Sequence, residues 1–136
     1  MIVVDNNVLV PLLVEGPLTT AAREVRRKDA DWRVPSLWRH EFLNVLVTGG
    51  RRGKVSFSVL HRLWKDALAL FSTGERDPDP GSVLLLAMDH GLTAYDAQYV
   101  ALTHALGATL VTEDKQIIKS FPSFAMDMNQ FLTGNS

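Results

Sequence analysis

The chain has 136 residues and no cysteine. Disulfide scaffolds, thiolate nucleophiles and sulfur-ligated zinc or iron–sulfur sites are therefore excluded. A domain without disulfides suits a reducing compartment, so a cytoplasmic location is expected. Long hydrophobic runs are also lacking. The longest, Val8–Val14 and Val83–Met88, fall far short of the roughly 20 residues that a membrane span requires, and Pro11 interrupts the first. The opening Met1-Ile2-Val3-Val4-Asp5 has no basic leader region and is not expected to be a signal peptide. Neither sign of charge is in excess, with 14 Lys plus Arg against 15 Asp plus Glu. Any nucleic-acid contact must then come from a local basic patch. What is present is ordinary for a folded protein, with 46% hydrophobic and 21% charged residues, too many large apolar side chains for general disorder. The length predicts one domain over residues 1–136, with a core spanning about 2–131 and a short tail over 132–136.

Ile2-Val3-Val4 is a short β-branched run that reads as a strand buried on both faces. A helical stretch follows from Asn7 to Val14, broken at Gly16-Pro17, and Leu18 to Asp29 again has helical composition. Trp32-Arg33-Val34 reads as a second strand closed by Pro35, with Ser36 placed to cap the next helix. From Trp38 through Phe42, Val45 and Leu46 the apolar residues recur at helical steps. Gly49-Gly50 is expected to stop that helix, leaving Arg51-Arg52-Gly53-Lys54 as a basic turn. Ser56 opens a helix ending near Phe71, and residues 74–81 read as a loop. Helices over Ser82–His90 and from Thr93 to Gly107 precede a strand at Ala108–Val111. A short helix near Lys115–Lys119 and a weak strand near Ser123–Met126 complete the pattern. Strands alternating with helices predict an α/β fold, three layers deep, around a central, mostly parallel sheet of four or five strands. Ligands of such sheets bind at the carboxyl ends of the strands, where Asp5 and Asp114 fall.

Four acids stand out: Asp5, Glu41, Asp96 and Asp114. Glu41 lies in a helix interior, with Asn44 and Thr48 continuing a polar stripe. Asp96 lies in the first turn of its helix. Each has a plainer reading. Asp5 suits a turn after a strand, and Glu41 an exposed pairing with an arginine. Asp96 suits a capping pair with Thr93, and Asp114 the start of the following helix. If the four converge, mutual repulsion raises their pKa values unless a cation neutralises them. Only oxygen ligands are on offer, and His40, His61, His90 and His104 form no metal-binding spacing. Hard oxygen ligation points to Mg²⁺ or Mn²⁺, whose natural chemistry with water is phosphodiester hydrolysis.

The segments around these acids resemble the PIN-domain ribonucleases, and specifically the VapC-type toxins of toxin–antitoxin pairs. Val3-Val4-Asp5-Asn6-Asn7-Val8-Leu9-Val10 is similar to the family's opening strand, Asp and apolar helix. Pro35 to Leu46 is similar to its second motif, with Glu41 followed by Asn44. Gly91 to Leu102, around Asp96, is similar to the most specific segment, and Leu110-Val111-Thr112-Glu113-Asp114 to the last. The resemblance runs from Ile2 to about Phe131. It implies a three-layer PIN fold and a Mg²⁺- or Mn²⁺-dependent endoribonuclease that leaves a 5′-phosphate on the downstream fragment. Its acidic positions fall on Asp5, Glu41, Asp96 and Asp114. Asp5, Asp96 and Asp114 would hold the metal, with Asn7, Thr112 and Asn44 in support. It also implies a homodimer, and a small antitoxin protein that fills the groove near the acids.

An RNA substrate needs cations. Arg23, Arg26, Arg27 and Lys28 form one basic cluster, and Arg51, Arg52 and Lys54 another. The second follows the Glu41 helix and is the better candidate for flanking the substrate. Trp32, Trp38 and Trp64 read as core or interface anchors. Two other functions are weighed: an inactive PIN module that binds RNA or protein, and a Mg-dependent phosphatase of the haloacid-dehalogenase type. The phosphatase requires an Asp two residues after the first, and Asn7 stands there.

Overall fold

Three hydrophobic residues at the start of the chain define the centre of the molecule. In the computed structural model, which describes residues 1–134, β1 (Ile2–Val4) is buried throughout. It lies between β2 (Trp32–Arg33) and β3 (Thr109–Val111), and β4 (Ala125–Met126) pairs with the far side of β3. The order is β2-β1-β3-β4 and every pairing is parallel, with Val4 opposite Val111. The expected parallel sheet therefore has four strands.

Successive side chains of a strand point to opposite faces, and β1 uses both. Ile2 and Val4 join a core with α1 (Asn6–Leu13), α2 (Thr19–Lys28), α3 (Trp38–Gly53), α4 (Phe57–Phe71) and α8 (Met128–Thr133). Val3 joins the opposite core with Tyr99, Val100 and Leu102 of α6 (Ala94–Leu106) and Ile117 of α7 (Lys115–Ser120). Outside α6, α5 (Pro80–His90) packs Val83 against Ala97 and Ala101. Helices on both faces of the sheet make three layers. Trp38 stacks on Trp64 with centroids 5.8 Å apart and meets Phe71 edge-on at 5.5 Å, so the expected anchoring role of the tryptophans is a core role.

Four local expectations are corrected. Gly49-Gly50 does not stop α3, which runs on to Gly53. Glycine costs a helix only about 1 kcal/mol, and packing outweighs that here: a Cβ on buried Gly50 would sit 2.7 Å from Leu60 Cδ1, so its absence lets α4 close on α3. The helix ends at Lys54, which takes the left-handed φ of 51°. Arg51 and Arg52 thus form the last helical turn rather than a loop, where cations suit the helix dipole. Ser36 does not cap α3, because its hydroxyl and amide both donate to the Asp77 carboxylate. Helix α3 is fastened instead by Glu75 Oε1, which accepts from Trp38 Nε1 at 2.8 Å and Arg39 Nε at 2.6 Å. Helix α5 begins at Pro80 rather than Ser82, with Asp79 accepting from the Ser82 amide and proline suiting the first helical position.

The end of the chain holds α8, where a tail was expected from 132. Asp127 and Gln130 close a capping box, and Lys28 Nζ donates to the Phe131 carbonyl. Met128 and Phe131 are buried in the core. Residues 135–136 of the expected tail lie outside the described residues.

Candidate active site

The carboxyl ends of β1 and β3 lie side by side because Val4 and Val111 are in register. Asp5 and Thr112, the next residues on each strand, therefore meet. The Asp5 amide donates to the Val111 carbonyl at 3.0 Å, which extends the ladder to the site itself. Asp5 is 7% exposed and caps α1, its Oδ1 accepting from the Asn6 amide at 2.7 Å. Its Oδ2 accepts from Thr112 Oγ1 at 2.7 Å. Burial pushes the Asp5 carboxyl up to about 6 from its usual 3.8. The Thr112 and Asn6 bonds oppose that rise, and the charges of Asp96 and Asp114 add to it.

Asn7 is the clamp between the two strand ends. Its Oδ1 accepts from the Glu113 amide at 3.0 Å, and its Nδ2 donates to Thr112 Oγ1 at 3.4 Å. Thr112 Oγ1 in turn accepts from the Asp114 amide at 3.1 Å. Asp114 Oδ1 accepts from the amides of Gln116 and Ile117. The helix-starting reading of Asp114 is therefore correct for one oxygen, and it fixes the carboxylate at the cleft edge. Asp96 is half of a capping pair: its amide donates to Thr93 Oγ1 at 3.0 Å. Burial and the charge of Asp114 raise the Asp96 carboxyl.

Asp5, Asp96 and Asp114 line one open cleft of about 360 Å³, together with Asn6, Asn7, Val10, Pro11 and Val45. Glu41 is not part of that lining but feels the charges of two of its acids. It is half-buried, is repelled by Asp5 and Asp96, and has its carboxyl raised, chiefly by burial. Its Oε1 accepts a 2.6 Å hydrogen bond from Tyr99 Oη. Thr112 is fully buried beneath the cleft. Asn44 is exposed and outside the lining. The four acids thus share one electrostatic neighbourhood, with Asn7 and Thr112 as its scaffold.

The basic clusters divide. Arg23 pairs with Glu15, Arg27 with Glu24, and Lys28 bonds the Phe131 carbonyl. Arg26 lies 5.1 Å from the centroid of the Trp32 ring. Arg26 and Lys28 are thus engaged with the fold, while Arg23 and Arg27 form exposed ion pairs. Arg51, Arg52 and Lys54 are exposed and form no ion pair among the described residues. They lie at the far end of α3, about 15 Å along the axis from Glu41.

Three features of the site were not anticipated. Tyr99 is not among the residues the sequence singles out, although its place three residues after Asp96 sets both on one face of α6. Val10, Pro11 and Val45 give the acidic cleft an apolar wall. Asn6 Oδ1 is buried with no hydrogen-bond partner, an expensive state for a polar atom. Among the described residues no group of three or more acids or histidines is drawn together as a finished metal cage. The donor set nevertheless suits a hard cation, being all oxygen: three carboxylates on one cleft and an unsatisfied amide oxygen on a lining residue.

The PIN domain family model matches residues 2–121. The chain belongs to the PIN-domain family. This PIN domain is of the VapC type: it is 31% identical over 128 residues to Ribonuclease VapC3 of Pyrobaculum aerophilum, covering 90% of this chain and 95% of that one. It is 35% identical over 79 residues to Exonuclease VapC9 of the same organism, across 58% of this chain and 59% of the other. Its fold matches the crystal structure of PAE2754 from Pyrobaculum aerophilum with a TM-score of 0.76 at 27% identity, covering 96% of this chain and 92% of that one. Among the described residues of this PIN domain no helix is long and apolar enough to cross a membrane.

Proposed function

We propose that this PIN domain is a metal-dependent endoribonuclease, the toxin of a toxin–antitoxin pair in the cytoplasm. The observation that carries the reading is the meeting of Asp5, Asp96 and Asp114 on one cleft, three acids from separate parts of the chain, with the carboxyls of Asp5 and Asp96 raised there. Asp5, Asp96 and Asp114 would hold Mg²⁺ or Mn²⁺. When bound, such an ion offsets the charge that builds on a phosphate and acidifies water.

The protein's own groups do the rest. Thr112 Oγ1 and the Asn6 amide hold the two oxygens of Asp5 in fixed directions. Asn7 keeps the Asp5 and Asp114 segments together. Glu41, with Oε1 taken by Tyr99, has Oε2 left with which it would orient the attacking water and accept its proton. The water oxygen would bond to phosphorus as the bond to the 3′ oxygen breaks; that oxygen takes a proton from solvent and leaves as the upstream 3′-hydroxyl, and the phosphate stays on the 5′ end of the downstream fragment. Arg51, Arg52 and Lys54 draw the RNA backbone along α3. A small antitoxin protein would cover the cleft with a basic side chain. The exposed Leu84, Leu85 and Met88 of α5 support a homodimer.

One relative carries the name ribonuclease and the other exonuclease. The cleft is open to solvent rather than enclosed, which supports the reading of internal cutting. The deciding experiment incubates the purified protein with circular and end-labelled linear RNA, in Mn²⁺ and in EDTA. Cleavage of the circle in Mn²⁺ alone, reduced on the order of 100-fold or more in D5N and D96N, is expected. Trimming of linear RNA with intact circles would mean an exonuclease. No cleavage of either would leave the binding-module reading. The phosphatase reading has no support, since Asn7 at its second acidic position is engaged with Glu113.

A further inference from the structure

We propose that Tyr99 is a positioning residue that holds Glu41 in its working orientation. The inference rests on the ribonuclease reading and extends it to a residue outside the cleft lining. Glu41 has a long, flexible side chain on α3 and is only half-buried. Asp5 and Asp96 both repel it. Left to itself, the carboxylate gains by rotating away from them toward solvent, where hydration replaces repulsion. Among the described residues, what opposes this is the 2.6 Å bond from Tyr99 Oη to Glu41 Oε1. A hydroxyl donating to a carboxylate at that length is a strong, charge-assisted hydrogen bond.

The donor is well placed to be rigid. Tyr99 is 1% exposed, and its ring is packed in the core with Val3, Leu110 and Ile117. Its helix, α6, also carries Asp96 three residues earlier. The same rigid element therefore sets the position of one cleft carboxylate directly and, through a hydroxyl, that of the neighbouring Glu41. Only Oε1 of Glu41 is consumed, so Oε2 keeps its lone pairs for the cleft. Tyr99 itself does not line the cleft, so it acts through Glu41 and not on substrate.

The test compares wild type, Y99F, E41Q and the double variant Y99F/E41Q. Y99F removes one oxygen and keeps the ring that fills the core. The expected result is a kcat for RNA cleavage about 10- to 100-fold lower in Y99F, with KM within twofold and an unchanged far-UV spectrum. In the E41Q background the same change should have little further effect, since the group it positions is already altered. A Y99F enzyme with kcat within twofold of wild type overturns the proposal. So does an equal proportional loss in both backgrounds, which would mark a packing defect. Crystal structures of wild type and Y99F give a readout that does not depend on turnover. Glu41 turned away from Asp5 in Y99F supports the proposal, and Glu41 unmoved overturns it. A wild-type protein without nuclease activity would sink the ribonuclease reading, while the pair of structures would still decide the role of Tyr99.

Discussion

Asp5 shows what a single buried acid costs. Its folded-state pKa of about 6 exceeds the ordinary 3.8, so the folded protein binds this proton more tightly than the unfolded chain does. Its contribution to stability is present at low pH and is lost as pH rises from about 4 through 6. Without metal at pH 7.5, the ionised carboxylate opposes folding by up to about 3 kcal/mol. D5N keeps the shape and removes the charge; its amide oxygen can still accept from Thr112 Oγ1, whose own lone pairs are taken by Asn7 and Asp114, at the loss of the bond from the Asn6 amide. In EDTA at pH 7.5, D5N should be more stable than wild type by about 1–3 kcal/mol in urea melts, with the gap closing near pH 4. Equal midpoints at pH 7.5 would contradict the strain assigned to Asp5. The acids themselves were legible in the sequence, because two of them end β-branched runs and parallel sheets bind ligands there. Tyr99 was not, because a tyrosine among apolar residues looks the same whether its hydroxyl is idle or bonded to a carboxylate on another helix.

At the level of elements, the start of α3 decides where Glu41 points. That start is fixed from outside the helix by Glu75, which joins Trp38, Arg39 and the strand bridge to Val34. E75A leaves the buried Trp38 indole N–H without its partner and should cost about 1–3 kcal/mol, measured as a shift of the denaturant midpoint, whereas E75Q should recover most of it. Gly74 is a second fixed point: a Cβ there would lie 2.1 Å from the Trp32 carbonyl oxygen. G74A cannot be relieved by a side-chain rotation, so its soluble yield and thermal midpoint should both fall well below those of a G49A control, where a Cβ meets nothing within 4 Å. Elements with strong periodicity, such as α3 and α4, could be read in advance. The ends of α3 could not. Whether Gly49-Gly50 ends a helix depends on Leu60 of a neighbouring helix, and whether Ser36 caps depends on Asp77, 41 residues away. The six-residue α8 is too short for periodicity to reveal, and its stability comes from a capping box and from Lys28.

For the molecule as a whole, a divalent ion and the fold should be coupled. If the acids of the cleft hold Mn²⁺ only when folded, Mn²⁺ at 100 times its dissociation constant should stabilise the protein by about 2.7 kcal/mol. Calorimetry should record a higher melting temperature in Mn²⁺ than in EDTA, with the increment reduced in D5N and D96N. An equal increment in wild type and both variants would place any bound ion elsewhere. The overall architecture was the most legible feature, since alternating strands and helices leave few topologies open to a chain of this length.

The central strand is completed late. β1 finds its first partner, β2, at residues 32–33, but its other edge waits for residues 109–111. The bond that fixes Asp5 comes from Thr112, 107 positions away. A ribosome must therefore deliver the chain as far as Thr112 and Asp114 before the carboxylates can meet. A half-made copy carries Asp5 and Glu41 without the strand, the threonine or the aspartates that complete the cleft. A chain that stops short of Asp114 lacks the cleft, so whatever that cleft does waits for the late strand to be delivered.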